Sequence, residues 1–173
     1  MAERGNGVRH YLKACLIVWF LIPLGVRSED KASEWTDLFN GKDLTGFKPA
    51  AGDWKVNDGA IVNQVNLNAN SRLETGQSLA DFELSGKVMV ENNGYFEVHI
   101  HGYGQVFEVD LERGAWVDLQ IVAKGKDIKV LVDGKPGARA SDGDAGAREG
   151  SLGFYAPKGG VLKLKSLKLK TNY

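Results

Sequence analysis

The sequence predicts an all-β fold, an antiparallel β-sandwich, and three observations support that prediction. Apolar residues alternate with polar ones in many short segments, turn-forming residues separate these segments at regular spacing, and no segment after residue 28 keeps a helical period. Alternation with a period of two places one side of a strand against a core and the other toward solvent. Many short strands joined by turns are typical of a sandwich or a barrel.

The N-terminal segment, residues 1–28, is predicted to be a signal peptide. Basic residues precede a continuous apolar run over residues 14–26. Val26-Arg27-Ser28 then places small or modest residues at the −3 and −1 positions of a cleavage site. This order is typical of a secretory signal. An uncleaved membrane anchor is the alternative, although the run is shorter than the roughly 20 residues that a span needs. Cleavage after Ser28 leaves a linker over residues 29–34 and one domain over residues 35–173, in a secreted or periplasmic protein with no membrane span.

Charge and cysteine content exclude some classes of function for the predicted mature chain. The full chain has 22 Lys+Arg and 22 Asp+Glu, and residues 1–28 hold four of the former and one of the latter. The remainder is therefore 18 minus 21, a net charge of −3. This balance argues against nucleic acid as a partner, because nucleic-acid binding favours a strong positive field. Cys15 is the single cysteine and lies in the predicted leader, so the mature domain has no disulfide.

The first half of the domain shows a hairpin and a long strand. Asp58-Gly59 stands between the apolar stretches Trp54–Val56 and Ala60–Val62, which is a hairpin signal. The segment Leu79–Val90 then alternates regularly and predicts a strand. Gly86 interrupts that strand and marks a candidate bulge.

The second half contains the clearest hairpin and the closing strand. Trp116–Lys135 alternates on both sides of a Gly-containing turn, and Pro136–Gly150 is rich in small and polar residues, which predicts a loop. The strand Val161–Lys170 changes phase at Ser166, which indicates a bulge or a bend. Four lysines of this strand are interpreted as its solvated face and as protection of an edge, in preference to a basic binding stripe: Lys163, Lys165, Lys168 and Lys170.

The segment Asn92–His101 is predicted to be a turn followed by a strand with an unusual polar face. Alternate side chains point to opposite sides of a strand. The core face then carries Phe96, Val98 and Ile100, and the other face carries Tyr95, Glu97, His99 and His101. Carboxylate and imidazole groups suit acid–base catalysis, and His-x-His beside a glutamate is also a weak metal signal. A solvated face with cross-strand ion pairs is the alternative.

Residues near this strand extend the candidate site. Glu108 and Asp110 lie in the polar phase of the next predicted strand, and antiparallel pairing of the two strands would turn them toward the histidines. Trp116 is either a core residue, as tryptophans are on average, or a platform on which a sugar ring stacks. Tyr103, in a loop flanked by glycines, is an alternative platform.

Several stretches together resemble one family, the 3-keto-disaccharide hydrolase domain family of secreted bacterial proteins. The resemblance covers nearly all of residues 33–171. Its opening motif, from Trp35 to Phe47, is fairly specific, and the remaining stretches are weaker singly. The stretches are Trp35-Thr36-Asp37-Leu38-Phe39-Asn40-Gly41-Lys42-Asp43-Leu44-Thr45-Gly46-Phe47, Trp54-Lys55-Val56, Asp58-Gly59-Ala60-Ile61, Asp81-Phe82-Glu83-Leu84, Asn93-Gly94, Trp116, Ile121-Val122-Ala123-Lys124-Gly125 and Val132-Asp133-Gly134-Lys135.

The resemblance implies a fold similar to the concanavalin A-like lectin and glucanase jelly roll, and an activity on glycosides whose sugar carries a ketone at C3. A base would remove the acidified C2 proton and an acid would protonate the leaving oxygen. On that reading the catalytic candidates are Glu97, His99 and His101. The substrate-binding candidates are Tyr95, Tyr103, Glu108, Asp110 and Trp116. No cofactor or metal is expected, and the expected partner is a carbohydrate.

The sequence departs from the family pattern before Trp116. Family members usually have a longer insert there, and an arginine a few residues after the Asn-Gly pair, where Glu97 stands in this chain. Three functions therefore remain open: a secreted 3-keto-glycoside hydrolase, a non-catalytic carbohydrate-binding module, and an interaction domain of the cell envelope. The sequence does not define the sugar, its linkage, whether a metal is bound, or the oligomeric state.

Overall fold

The fold is given by a computed structural model, which describes residue 1 and residues 34–102, 104–141 and 148–171. The described strands lie within a unit that spans Ala32–Tyr173. The predicted signal peptide falls outside the described residues except for Met1, and the predicted linker does so except for Glu34. Both therefore stay predictions.

Fourteen β-strands are defined in the described part of the chain, and no helix is defined there. The strands are β1 Thr36–Asp37, β2 Phe47–Ala51, β3 Trp54–Asn57, β4 Ala60–Asn63, β5 Ser71–Thr75, β6 Phe82–Glu91, β7 Tyr95–Ile100, β8 Gln105–Asp110, β9 Val117–Lys124, β10 Asp127–Val132, β11 Lys135–Pro136, β12 Arg139–Ser141, β13 Gly153–Ala156 and β14 Val161–Thr171.

The strands form two antiparallel sheets. The eight-stranded sheet has the order β11-β10-β9-β6-β14-β4-β3, and β1 pairs with β14 beside this path. The six-stranded sheet has the order β12-β8-β7-β13-β5-β2. An apolar inner face on each sheet requires the two to pack against each other. The predicted all-β sandwich is therefore confirmed.

The core lies between the sheets and is filled by the inward phase of each strand. In β7 the inward residues Phe96, Val98 and Ile100 are fully buried, as the sequence pattern predicts. Leu119 and Ile121 of β9 are fully buried from the other sheet. Burial of each such side chain stabilises the fold by about 1.5–3 kcal/mol. This fixes the register, because a shift by one residue would expose every one of them.

Both predicted hairpins are present. Strands β3 and β4 pair across Asp58 and Gly59, which both have positive φ, at 49° and 70°. That conformation suits the Asp-Gly pair, because glycine has no Cβ to clash and aspartate tolerates it. Strands β9 and β10 pair from Lys124 and Asp127 onward, around Gly125.

The bulge in the closing strand is also present, but the bulge expected in β6 is not. The pairing of β14 with β6 shifts register between Lys165 and Lys168, and Ser166 has a φ of 54°. In β6, Gly86 pairs regularly with β9. A Cβ at Gly86 would lie 2.5 Å from Cδ2 of Leu167. The glycine therefore makes room for a leucine that the bulge of β14 turns inward.

Two further expectations need correction. The segment predicted as a loop over residues 136–150 contains β12, which pairs with β8. Strand β14 is no edge, since it lies between β6 and β4. Its lysines still lie on a solvated face, where Lys163 pairs with Glu91 at 2.6 Å and Lys170 with Glu83 at 3.8 Å.

Candidate functional site

The candidate site lies on the outer face of the six-stranded sheet, around β7. This strand has β8 on one side and β13 on the other, and β5 follows β13. Residues directly opposite each other in neighbouring strands share a face. The register therefore brings five polar side chains together, which we call the outer-face cluster: Glu97 and His99 of β7, Tyr155 of β13, and Arg72 and Glu74 of β5.

Glu97 and His99 form the central pair of this cluster. The Nε2 atom of His99 lies 2.9 Å from Oε2 of Glu97, and in the Nε2–H tautomer the imidazole donates to the carboxylate. The side chain of Glu97 is 27% exposed and that of His99 only 6%. The carboxylate thus reaches solvent, while the imidazole supports it from below.

Tyr155 covers the imidazole of His99. The two rings are stacked with their centroids 5.1 Å apart and their planes 16° from parallel. The phenol of Tyr155 also has a fixed partner, because Nδ2 of Asn70 donates to its oxygen. Gly153 lies directly opposite His99, and a Cβ there would lie 3.3 Å from Cβ of His99. A side chain at Gly153 would therefore crowd His99.

Arg72 and Glu74 complete the cluster on the far side of Tyr155. Arg72 lies directly opposite Tyr155 and forms an ion pair with Glu74. The cluster therefore combines two carboxylates, a guanidinium, an imidazole and a phenol within three neighbouring strands. It holds groups that can accept a proton, donate one and stabilise negative charge.

The predicted carboxylates of β8 face a different partner. Glu108 lies opposite Glu97, and Asp110 lies opposite Tyr95. Instead of meeting histidine, both bind Arg139 of β12, with 2.9 Å between its Nη2 and Oδ2 of Asp110. The hydrogen bond to Glu108 and the charge of Asp110 raise the pKa of Arg139. This guanidinium relieves the repulsion between the facing Glu97 and Glu108, since like charges directly opposite are destabilising.

His101 does not share the polar face, which corrects the sequence prediction. Strand β7 ends at Ile100, and His101 has a φ of 55°, so the chain turns before the next side chain can alternate outward. The imidazole of His101 lies 2.9 Å from the carbonyl oxygen of Ala80 and meets the ring of Phe82 edge-on. It is buried. The proposed His-x-His pair is therefore divided between two environments.

The aromatic candidates are also separated. Trp116 precedes β9 on the eight-stranded sheet, where the ammonium of Lys165 lies 4.0 Å from its ring centroid. It is half-buried and does not belong to the core, which corrects the preferred interpretation of this residue. Tyr95 lies at the first position of β7, next to Asp110. Tyr103 lies outside the described residues.

Sequence reasoning missed Tyr155, Arg72, Glu74 and Asn70. The alternation Arg72-Leu73-Glu74 does predict two outward polar side chains in a short strand. What it cannot predict is that β13 and β5 follow β7 in the sheet, because 52 residues separate β13 from β7 and 19 separate β5 from β7.

The described residues contain neither a metal-binding cluster nor a membrane-spanning helix. Within residues 34–102, 104–141 and 148–171, no group of three or more His, Cys, Asp or Glu side chains is arranged to hold a metal ion. In the same part of the chain, no helix has the length and apolar character needed to cross a membrane.

Comparison with known families supports the predicted resemblance. A family model, the 3-keto-alpha-glucoside-1,2-lyase-like domain, matches residues 34–107, a segment that includes β1 to β7 and the start of β8. No curated protein matches the sequence. The resemblance stated from the sequence is confirmed over that segment.

Comparison with solved structures confirms the fold. A candidate glycosyl hydrolase from Parabacteroides distasonis has a TM-score of 0.63 at 18% identity, over 84% of this chain and 97% of its own. The carbohydrate-binding module CBM66 from Bacillus subtilis has 0.58 at 13%, over 75% and 98%. The exoplasmic/lumenal domain of VIP36, in a form with Ca²⁺ and Man3GlcNAc, has 0.55 at 10%, over 76% and 87%. At these identities the likeness concerns the fold alone.

Proposed function

We propose that this protein is a carbohydrate-active domain that cleaves 3-keto glycosides by elimination at the outer-face cluster. One observation carries the proposal: Glu97 is held 2.9 Å from a buried imidazole and reaches solvent on a face that also holds a phenol and a guanidinium. The family match includes the strand that bears Glu97 and His99. The likeness of the fold to a candidate glycosyl hydrolase is consistent with a sugar substrate.

Glu97 is the proposed base. A ketone at C3 makes the C2 hydrogen acidic, and the carboxylate takes that proton while the electron pair moves onto the C3 oxygen as an enolate. The enolate then re-forms the ketone, a double bond forms between C1 and C2, and the C1–O bond breaks. His99 is a positioning residue, because its 6% exposure leaves little surface for substrate. Its role is to orient the carboxylate and hold it in place.

Tyr155 is the proposed acid. It lies directly opposite Glu97, at a Cβ separation of about 5 Å for such pairs. Because Asn70 already donates to the phenol oxygen, the phenol proton is directed elsewhere and can pass to the leaving oxygen. Arg72 lies on the far side of Tyr155 and provides positive charge for the enolate. Addition of water across the new double bond completes hydrolysis.

The test is cleavage of 3-keto-trehalose by the purified protein, followed as release of glucose. We expect Glu97→Gln to lower kcat/KM by about 10²–10⁴-fold, the usual contribution of a positioned base. The matched control is Asp110→Asn, which makes the same carboxylate-to-amide change on the same face but in contact with Arg139. It should retain activity close to that of the wild type. Equal activity of Glu97→Gln and the wild type would contradict the proposal.

His99→Asn tests positioning separately. We expect it to lower kcat and to leave KM nearly unchanged, because the carboxylate loses the hydrogen bond that orients it. A purely structural role would lower thermal stability and leave the kcat of the folded protein unchanged.

A second candidate function is sugar binding without catalysis on the same face. The observation that favours it is the His99–Tyr155 stack, in which the ring of Tyr155 lies nearly parallel over His99 at 5.1 Å, so that the opposite face of the Tyr155 ring would be the platform. CBM66, which is similar in fold, is a carbohydrate-binding module. If the wild type and all variants release no sugar, while the wild type binds glycans and Tyr155→Ala does not, this second function holds and the first fails.

A further inference from the structure

A second aromatic feature lies on the opposite side of the sandwich. Trp35 immediately precedes β1, the short strand that pairs with β14 of the eight-stranded sheet. It is 41% exposed, an unusual exposure for the largest apolar side chain. Its indole borders a groove whose other walls come from β6 and β9, so it extends beyond its own strand over the outer face of this sheet.

The groove beside Trp35 is small and chemically mixed. Its volume is about 150 Å³, the space of about five waters in the liquid. Ser85 and Gln120 lie directly opposite each other in its floor, and Val122 provides an apolar wall. A hydroxyl and an amide both donate and accept hydrogen bonds. The groove thus offers one flat apolar surface with polar groups beside it that suit hydroxyls.

Comparison with Trp116 shows why Trp35 is the better platform. Trp116 also lies on the eight-stranded sheet, but the ammonium of Lys165 lies over its ring at 4.0 Å. Glu83, which lines the groove beside Trp35, has its charge balanced by Lys170 at 3.8 Å. A neutral ligand with one apolar ring face fits this setting better than a charged one.

We propose that the groove formed by Trp35, Ser85, Gln120 and Val122 is a second sugar-binding site, in which one neutral pyranose ring stacks on the indole while Ser85 and Gln120 bind its hydroxyls. A pyranose presents C–H groups on its faces and hydroxyls at its rim, which match an indole and a hydroxyl–amide pair. The volume suits one ring and is too small to enclose an extended chain. The site is separate from the outer-face cluster and does not depend on its activity.

The test uses the tryptophan indole N–H signals of the ¹⁵N-labelled protein. The probes are maltose, cellobiose and trehalose, with a triproline peptide as the competing class of ligand. We expect the Trp35 signal to shift saturably with at least one sugar, at a dissociation constant on the order of millimolar for so small a contact. The internal control is Trp54, which is 8% exposed and donates its indole N–H to the carbonyl oxygen of Ala51 at 3.1 Å. Its signal should stay in place.

Substitutions separate the proposal from its rivals. Trp35→Phe assigns the signal, because the signal disappears in that variant, and it should leave cleavage of 3-keto-trehalose unchanged. Gln120→Ala keeps the indole and should weaken sugar binding. A Trp35 signal that no sugar shifts overturns the proposal, and so does a signal that responds to triproline only. Binding that persists unchanged in Gln120→Ala overturns the assigned hydroxyl contact.

Discussion

Side-chain hydrogen bonds shape the loop within the Trp35–Phe47 motif. Oδ1 of Asn40 accepts from the backbone N–H of Lys42 at 2.8 Å and of Asp43 at 3.0 Å. Oδ1 of Asp43 in turn accepts from the backbone N–H of Thr45 at 2.9 Å and from Nδ2 of Asn40 at 2.8 Å. The two side chains thus accept hydrogen bonds from four donors, three of which are backbone N–H groups of the turn. This explains why the motif needs Asn and Asp at that spacing.

Asp43 makes this loop sensitive to acid. The hydrogen bonds from Thr45 and Asn40 hold the pKa of Asp43 below its ordinary value of 3.8. A lowered folded-state pKa contributes stability above the unfolded value, and that contribution is lost as the pH falls through the folded value. We expect Asp43→Ala to lower Tm near pH 7, by an amount that shrinks below about pH 3.8. Thermal unfolding of both proteins at several pH values measures this, and Asp43→Asn, which keeps an acceptor oxygen, is the control. A difference independent of pH would contradict the assignment.

At the residue scale, the strand period predicted part of the candidate site. Glu97 and His99 were placed correctly on the face opposite Phe96 and Val98, because alternation is a local property. The predicted outward position of His101 was wrong, because its positive φ ends the alternation. Neither residue type in His101-Gly102 requires the turn to begin at His101. Tyr155 was missed because its place beside His99 depends on pairing between distant strands.

At the element scale, the bulge of β14 changes which side chains of the strand face the core. Lys163 and Lys165 face outward before it, and Leu167 and Leu169 are buried after it. The change of phase is produced by Ser166, whose φ is 54°. That conformation costs a non-glycine residue roughly 1–2 kcal/mol. The bulge keeps β14 paired with β6 on both sides while it moves Leu167 into the space above Gly86.

Substitution of Ser166 should therefore separate backbone strain from side-chain chemistry. We expect Ser166→Gly to raise the free energy of unfolding by up to about 1 kcal/mol, because glycine adopts this φ without strain. Ser166→Val should lower it by roughly 1–2 kcal/mol, because a branched Cβ crowds the same conformation. Urea unfolding monitored by tryptophan fluorescence measures both. The opposite order of stabilities would show that the serine side chain, and not the backbone, holds the bulge.

The sequence predicted elements better where a turn signal was explicit. The Asp58-Gly59 hairpin and the phase change at Ser166 both followed from residue types whose conformational preferences are strong. Strand β12 was missed, because Arg139-Ala140-Ser141 has no alternating apolar pattern and is held at the edge of its sheet by Arg139 on Glu108. Such a strand exists only because a neighbour provides its hydrogen bonds.

At the scale of the whole molecule, the N-terminal sequence predicts that the protein is exported. We expect the mature protein to be recovered outside the cytoplasm with Glu29 as its first residue, because the order of basic and apolar segments in residues 1–28 is typical of a secretory signal. Intact mass and N-terminal sequencing measure this. Leu21→Arg, which interrupts the apolar run, should retain the precursor inside the cell. Recovery of an uncleaved chain in the membrane fraction would support the anchor instead.

The position of β14 has a consequence for how the protein is made. It is the last of the described strands in chain order, yet it lies inside its sheet and pairs with β6, β4 and β1. The other described strands of both sheets therefore leave the ribosome before β14, with which three of them pair. Pairings this distant in sequence form slowly. The newly made chain should remain open until β14 is free, and an open chain is the form in which a polypeptide can be threaded through a membrane pore.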